Sequence, residues 1–239
     1  MTTVVAIMDR SNWSANTDNI VVVKPSRRTL LWVPRDLWSV TIGDRVNAAF
    51  ALGGHRSLIA VLAEHGIRVD HSICVRRDAT ERALSDLVVS VPVPRLLTFW
   101  YPLSPQAAIE DGRKLISFVP PSETLSGERL HQWIGARMEP RTAGGSDFRR
   151  ISRQQVLLRE LLSHGFDFRA VLADPESVRL SSASAIAEAG RVRPDWHFRV
   201  MSNVVNTSID GKAVMVPRTS RLSIRSLSRL RPSPRAPRR

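Results

Sequence analysis

Cysteine is nearly absent from this chain, and so are long apolar runs. The single cysteine, Cys74, excludes an intrachain disulfide framework and a zinc site built from cysteines. It lies in a strand-like apolar run and is predicted to be a small core residue. No stretch approaches the roughly 18–20 apolar residues that span a bilayer, and residues 1–8 lack the basic segment of a signal peptide. We therefore expect the chain as written to be soluble and not exported.

Acidic residues are missing from the end of the chain. Residues 217–239 carry 8 of the 35 basic residues, all of them arginine, and no acid. Residues 1–216 contain the other 27 basic residues and all 22 acidic residues. This segment is therefore only mildly basic, although the formal net charge of the chain is +13. Residues 217–239 are rich in Ser, Pro and Arg and are predicted to be disordered. Residues 1–216 are predicted to form the globular domain.

Two patterns alternate along that domain. Short runs rich in β-branched residues indicate strands, and apolar residues at helical spacing indicate helices. The predicted strands are 3–8, 19–24, 29–33, 71–75 and 88–93. The predicted helices are 46–52, 55–65, 78–87, 126–137 and 147–163, the last two joined by a loop containing Gly144 and Gly145. The alternation predicts an α/β fold, a layered α-β-α domain with a central mixed sheet.

Two turn signals follow the last of these helices. Asp174-Pro175-Glu176 predicts a further helix start, since proline is favoured at the first helical position. Asp210-Gly211 predicts a hairpin turn between strands at 197–205 and 212–216.

Arginines head the apolar stripe of the helix predicted at 147–163. Arg150 and Gln154 fall on the same side of this helix as Leu157 and Leu161. A buried arginine needs a partner, because an unpaired buried charge is very costly. Arg153 follows on the next turn, so the two guanidinium groups can converge on one ligand. A structural ion pair with Asp147, or with a carboxylate of another element, explains Arg150 equally well.

Charged residues also stand at predicted strand ends. Arg35 and Asp36 follow one strand, where ligand groups of α/β sheets gather. Asp9 follows the first strand and Asp18 precedes the second, so the two carboxylates can approach across the sheet and suit Mg²⁺. From spacing alone, a salt bridge explains Arg35 better than a ligand contact does, and strand-end aspartates are usually turn formers.

Four motifs resemble the LytR-CpsA-Psr family in order and approximate spacing. They are Asn16-Thr-Asp-Asn-Ile20, Val33-Pro-Arg-Asp36, Arg45-Val-Asn-Ala-Ala-Phe-Ala-Leu-Gly-Gly54 and Asp147-Phe-Arg-Arg-Ile-Ser-Arg-Gln-Gln155. The family's corresponding stretches read approximately RSDT, IPRD, KINAAYxxGG and DxxRIxRQQ. The resemblance covers about residues 4–165, and the ordered set is far more specific than any single motif.

The resemblance implies an enzyme anchored on the extracytoplasmic face of the bacterial plasma membrane. Such enzymes transfer glycopolymers (teichoic acids, capsule, arabinogalactan) from a polyprenyl-pyrophosphate carrier to peptidoglycan. It implies a metal, Mg²⁺ or Mn²⁺, at Asp9 and Asp18, and a catalytic set in which Asp36 orients the arginines. The resemblance implies that the substrate-binding residues are Arg35, Arg45, Asn47, Arg137, Arg150, Arg153 and Gln154. Four of these, Arg35, Arg137, Arg150 and Arg153, are also implied to be catalytic.

The chain departs from the family pattern at several places. Asn16-Thr17 stands in place of Arg-Ser, and Gly135 takes the place of the first arginine of a helix pair. Leu87-Val88-Val89 replaces a Gly-Gly-Val, and no amino-terminal membrane helix precedes the first strand. As written, the chain is therefore expected to be cytoplasmic or to have a start codon farther upstream.

Other functions compete with transfer. Asn16 and Gly135 stand where the family has arginines, so the remaining arginines are compatible with a non-catalytic binder of polyprenyl pyrophosphate or another polyanion. The basic tail suffices for non-specific nucleic-acid binding, but no recognition motif accompanies it, so nucleic acid is not expected as a specific partner. An anionic membrane surface suits the tail equally well. A lipid chain would need an apolar groove, for which residues 96–101 and the middle helices are candidates, although core packing explains them too.

Overall fold

The structure is a computed structural model that describes residues 1–104, 111–140, 147–172 and 174–218, with the side chain of Ala170 excepted. Fourteen strands are assigned in these ranges, and six helices. The strands are β1 (Thr3–Met8), β2 (Thr17–Lys24), β3 (Thr29–Trp32), β4 (Trp38–Ser39), β5 (Asp44–Arg45), β6 (His71–Val75), β7 (Val89–Pro92), β8 (Leu97–Pro102), β9 (Arg113–Phe118), β10 (Ser122–Leu125), β11 (Val178–Leu180), β12 (His197–Val200), β13 (Val204–Ile209) and β14 (Lys212–Pro217). The helices are α1 (Ala49–Glu64), α2 (Arg77–Ala83), α3 (Gly127–Gly135), α4 (Asp147–Ser163), α5 (Phe168–Val171) and α6 (Ser184–Ala189).

A six-stranded mixed sheet forms the centre of the fold. Its strand order is β11-β6-β1-β2-β3-β12. The pairs β1–β6 and β3–β12 are parallel, whereas β1–β2, β2–β3 and β6–β11 are antiparallel. The central strands are Val- and Ile-rich because both faces of the sheet are covered. The predicted layered α/β fold with a central mixed sheet is confirmed.

The two faces of the sheet pack against different helices. Val4, Ala6 and Met8 alternate along β1 onto the face covered by α1. The opposite face, which includes Val5 and Val23, packs against α4 and the segment before β12. The antiparallel strand pairs β7–β10 and β8–β9 form a second apolar cluster with α3 and α4, centred on the buried Phe99, Phe118 and Trp133. Helix α4 therefore contacts both clusters, and its N-terminal end lies over one end of the central strands.

Helix α1 carries the break that the two predicted helices 46–52 and 55–65 imply. Gly53 and Gly54 leave helical geometry, and Gly54 has φ of +61°, a conformation that glycine adopts without strain. By length and composition Val46–Glu64 could cross a membrane, a test that core helices also pass. Its residues Leu58, Val61 and Leu62 are fully buried in the core beside the sheet. The sequence shows no apolar stretch of this length, because His55 interrupts the apolar run at the start of the helix.

Two predictions for the last third of the domain are wrong in detail. Asp174-Pro175-Glu176 starts no helix: Asp174 accepts hydrogen bonds from the backbone of Glu176 and Ser177, and this turn leads into β11. The predicted strand 197–205 is two strands, since β12 joins the central sheet and β13 pairs with β14 around Asp210-Gly211. The predicted loop at Gly144-Gly145 and the tail from 219 to 239 lie outside the described residues.

Candidate functional site

A β-bulge places Asp18 at the end of the central sheet. Met8 pairs with Thr17 and Ile7 pairs with Asn19, so Asp18 is the extra residue on β2. Bulges re-aim a side chain that would otherwise alternate with its neighbours. Asp9 follows directly after β1 at the same end, and its backbone N–H donates to the Asn16 carbonyl at 2.8 Å. The two aspartates therefore lie at the same end of the sheet, as the sequence predicts.

Arginines from two other elements converge on Asp18. Arg150 on α4 donates through Nη1 to Asp18 Oδ1 at 2.7 Å, and Arg35, just after β3, donates through Nη1 to the same oxygen at 2.6 Å. Arg150 also donates to Asp147 Oδ1 from Nη2 at 2.7 Å and from Nε at 3.0 Å. Both partners that the sequence allowed for Arg150, Asp147 and a carboxylate of another element, are thus present together.

Asp18 and Arg150 are held in their ionised forms. Burial alone would raise the pKa of Asp18, but the positive charges of Arg150 and Arg35 and the hydrogen bond from Arg150 lower it. Burial opposes the charge of Arg150 in turn, yet Asp18 and Asp147 raise the pKa of its guanidinium. The side chains of Arg150 and Asp147 are only 3% and 4% exposed, so this pair is a buried ionic anchor.

Arg137 is a cation without a partner beside this network. It follows α3 and is partly buried. Within the part of the chain that the structure describes, it makes no hydrogen bond or ion pair. Burial and the nearby charges of Arg35 and Arg150 lower the pKa of Arg137, while Asp18 and Asp36 oppose the shift. A partly buried guanidinium that its neighbours repel is ready to take an anion.

The structure places Arg153 away from this cluster. Its buried guanidinium donates to the carbonyl oxygens of Trp133 and Ala136 and stacks over the ring of Phe99, 4.4 Å from its centroid. The Trp133 indole donates back to the Arg153 carbonyl at 2.9 Å. Burial lowers the pKa of Arg153 to about 10. Arg153 therefore ties α3 to α4, in the position of a structural residue rather than a ligand contact.

The remaining predicted residues frame the cluster. Gln154 lines a neighbouring cavity, donates to the Ile134 carbonyl at 3.2 Å and has no partner for its buried Oε1 among the described residues. Asp36 lies 4.0 Å from Arg35 Nε and 3.6 Å from Arg45 Nη1. Arg45 also donates to the Ala213 carbonyl at 2.8 Å, on the outer side of the cluster. Asn47 is buried, and its backbone N–H donates to the Arg35 carbonyl at 3.1 Å, which fixes the loop that carries Arg35.

A cavity of about 550 Å³ opens beside the cluster, between the sheet and the helices. Its polar end includes Asp9, Asp18, Arg137 and Arg150. The rest of its wall is mostly apolar and includes Val5, Val21, Trp32, Ile134, Leu157 and Leu161. Trp100 and Tyr101, from the predicted apolar segment 96–101, line it as well. A deep apolar space with a few convergent charges at one end suits an amphiphile with an anionic head.

Asp9 carries the observation that bears on a metal. Its Oδ1 is buried and has no hydrogen-bond partner among the described residues. Burial and the negative charge of Asp18 raise the pKa of Asp9. A cation shared by the two carboxylates would relieve both effects. No group of three or more His, Cys, Asp or Glu in the described ranges could hold a metal, so a metal would depend on these two carboxylates and on ligand oxygens, which is how proteins usually hold Mg²⁺.

Replacing Asp9 by asparagine should stabilise the ligand-free protein and abolish its response to Mg²⁺. The raised pKa means that the ionised carboxylate costs free energy in the folded state above its pKa. We expect Asp9→Asn to raise the free energy of unfolding by about 0.5–1 kcal/mol at neutral pH, measured by urea denaturation. The wild type should gain thermal stability from millimolar Mg²⁺, and the variant should not. A loss of stability in Asp9→Asn without metal would contradict this account.

Arg77 is a cavity residue that the sequence reading missed. It starts α2, immediately after β6, and its side chain lines the cavity on the side of Asp9. The signal that pointed to Arg35, an arginine at the carboxyl end of a strand, also applies to Arg77. None of the four motifs includes α2, so the family resemblance does not point to Arg77.

Comparisons with known proteins identify the family and the fold. The model of the LytR_cpsA_psr family matches residues 4–187. Comparison with curated protein sequences gives no match. The fold is similar to that of TagU from B. subtilis (TM-score 0.56, 18% identity, 95% of this chain and 92% of TagU) and of TagV from B. subtilis (0.58, 17%, 91% and 90%). It is also similar to a structure described as TagT bound to LI-WTA (0.60, 16%, 91% and 84%). The family match covers most of the chain, and the protein therefore belongs to the LytR-CpsA-Psr family.

Proposed function

We propose that this member of a family of cell-wall glycopolymer transferases moves a glycopolymer from a polyprenyl-pyrophosphate carrier to peptidoglycan or a related envelope acceptor. One observation carries the proposal: Arg137, which has no partner among the described residues, stands beside the Asp18–Arg150 network at the polar end of a deep apolar cavity. The lipid chain would occupy the apolar part of the cavity and the pyrophosphate its charged end. The family is associated with the membrane of the cell envelope, which is where such a carrier resides.

The chemistry is phosphoryl transfer by positioning and electrostatics. An acceptor hydroxyl attacks the phosphorus that bears the glycan, the bond from that phosphorus to the bridging oxygen breaks, and polyprenyl phosphate leaves. Arg137 donates to the oxygens on which negative charge grows, where a preorganised donor is most effective. Arg35 and Arg150 share Asp18, so their positions are fixed before the substrate arrives. The proton of the hydroxyl passes to a carboxylate of the cluster.

A divalent metal fits the same end of the site. Asp9 and Asp18 would hold it, because their mutual repulsion favours a bound cation and Oδ1 of Asp9 has no partner in the part of the chain that the structure describes. When bound, Mg²⁺ or Mn²⁺ would neutralise pyrophosphate charge.

Substitution of a cavity residue tests this proposal and distinguishes binding of the lipid chain from binding of the pyrophosphate. Leu84 lines the apolar part of the cavity at the end of α2. We expect Leu84→Trp to fill part of that space and to weaken binding of a polyprenyl diphosphate of eight or more isoprene units about tenfold, or by roughly 1.4 kcal/mol. Binding of inorganic pyrophosphate should stay unchanged. Isothermal titration calorimetry measures both; a wild type that binds neither ligand would refute the proposed function.

A further inference from the structure

Arg77 approaches the charged end of the cavity from a different wall than Arg137. Strands β1 and β6 are parallel neighbours, so their carboxyl ends bring Asp9 and the start of α2 together. Nη1 of Arg77 lies 3.4 Å from the Asp9 carbonyl oxygen, which it contacts as a long hydrogen bond. Asp9 thus stands between Asp18 and its arginines on one side and Arg77 on the other.

Most of the hydrogen-bonding capacity of Arg77 is unused. Its Nε donates to Glu81 Oε1 at 2.6 Å, and its Nη1 makes the long contact with Asp9. A guanidinium has five N–H donors, so three remain without a partner among the residues that the structure describes. The side chain is 34% exposed and lines the cavity. It is therefore held in place by Glu81 and keeps N–H donors for a ligand.

Other polar groups beside Arg77 also lack partners. Thr80, one turn along α2, lines the cavity, and its buried hydroxyl has no hydrogen-bond partner within the described ranges. Burial raises the pKa of Tyr101 and lowers the pKa of His131, both of which line the cavity, and the positive charge of Arg77 acts to lower both values. A buried hydroxyl without a partner is costly unless a ligand satisfies it. This wall of the cavity is thus equipped for an anionic group.

We propose that Arg77 is a second phosphate-binding cation of the cavity, which contacts the lipid-linked diphosphate from the α2 wall while Arg137 contacts it from the α3 wall. This inference rests on the proposed function and adds a residue and a specificity to it. Two phosphoryl groups offer separate oxygens to two arginine forks, whereas a monophosphate offers one. Arg77 therefore makes the cavity select a diphosphate over a monophosphate.

Substitution of Glu81, the partner of Arg77, distinguishes phosphate binding by Arg77 from a purely structural role. Arg77 and Glu81 are spaced i, i+4 on α2, and such pairs stabilise a helix. If the pair served only the helix, removal of either member would have the same effect. If Arg77 binds phosphate, loss of Glu81 frees its fork and removes a repelling charge, so the two variants diverge.

The experiment measures binding of farnesyl diphosphate and farnesyl monophosphate by calorimetry. The proteins are the full-length wild type, Arg77→Ala, Glu81→Gln and Arg82→Ala, a matched control whose side chain on the same helix is 56% exposed. Arg77→Ala should weaken diphosphate binding about tenfold or more and monophosphate binding less than threefold. Glu81→Gln should bind the diphosphate as tightly as the wild type or more tightly, and Arg82→Ala should match the wild type.

The failures of the two proposals are distinguishable. A wild type that binds neither farnesyl ligand overturns the proposed function. A wild type that binds the diphosphate, with Arg77→Ala unchanged or with Arg77→Ala and Glu81→Gln weakened alike, overturns the role of Arg77 alone. Equal weakening of monophosphate and diphosphate binding in Arg77→Ala would also overturn the selectivity.

Discussion

Arg150→Ala is expected to lower the free energy of unfolding by about 3–5 kcal/mol, the cost of leaving one member of a buried ion pair without its partner. Arg150 holds Asp147, whose side chain is 4% exposed, and Asp18 at the bulge of β2. Without the guanidinium, both carboxylates lose their main counter-charge in a partly dehydrated site. Urea denaturation at pH 7 measures the loss, and Arg159→Ala, an exposed arginine on the same helix, is the matched control. A loss below 1 kcal/mol would show that the network does not anchor α4.

The same network sets a dependence on pH. The pKa of Asp18 is lowered from its ordinary value of 3.8, so its ionised form stabilises the folded state. That stabilisation is complete above the pKa of the unfolded state and disappears as the pH falls through the lower folded value. The wild type should therefore lose stability below about pH 4, and Arg150→Ala should lose less over the same range.

The central sheet and the meeting of Asp9 with Asp18 could be predicted from the sequence. β-Branched runs mark the central strands, and Asp9, just after one strand, can approach Asp18, just before the next, at the same end of the sheet. The partner of Arg150 could not be chosen in this way. Asp147 is three residues away, whereas Asp18 is 132 residues away, and helical spacing favours neither. Both proved to be partners because α4 lies with its head over the bulge of β2.

Arg153 shows what helical spacing leaves out. It follows Arg150 by three residues, which places it on the adjacent turn of the helix. Spacing alone predicts that Arg153 joins the cluster, because it cannot show that the carbonyl oxygens at the end of α3 lie beside that turn. In the fold these carbonyls take up the guanidinium of Arg153. The assignment of Arg153 as a substrate contact stays untested, but its geometry favours a positioning role.

Arg137 is the residue whose replacement should most affect turnover. Removing a preorganised donor to developing charge lowers the rate about 10²–10³-fold, and we expect this loss for Arg137→Ala. Stability should stay unchanged or rise, because Arg137 has no partner in the described structure and is repelled by Arg35 and Arg150. Arg137→Lys should recover only part of the rate, since a lysine is a point charge without a planar fork. A rate loss accompanied by unfolding would contradict the assignment.

Release of polyprenyl phosphate tests the central claim most directly. The wild type is incubated with a short-chain lipid-pyrophosphate glycan, Mg²⁺ and a peptidoglycan fragment, and the lipid phosphate is measured by chromatography. Release that requires the acceptor and falls about 10²-fold or more in Arg137→Ala is the predicted result. Binding of the lipid-pyrophosphate glycan without any release of lipid phosphate would contradict the account and would make this protein a binder of the same fold.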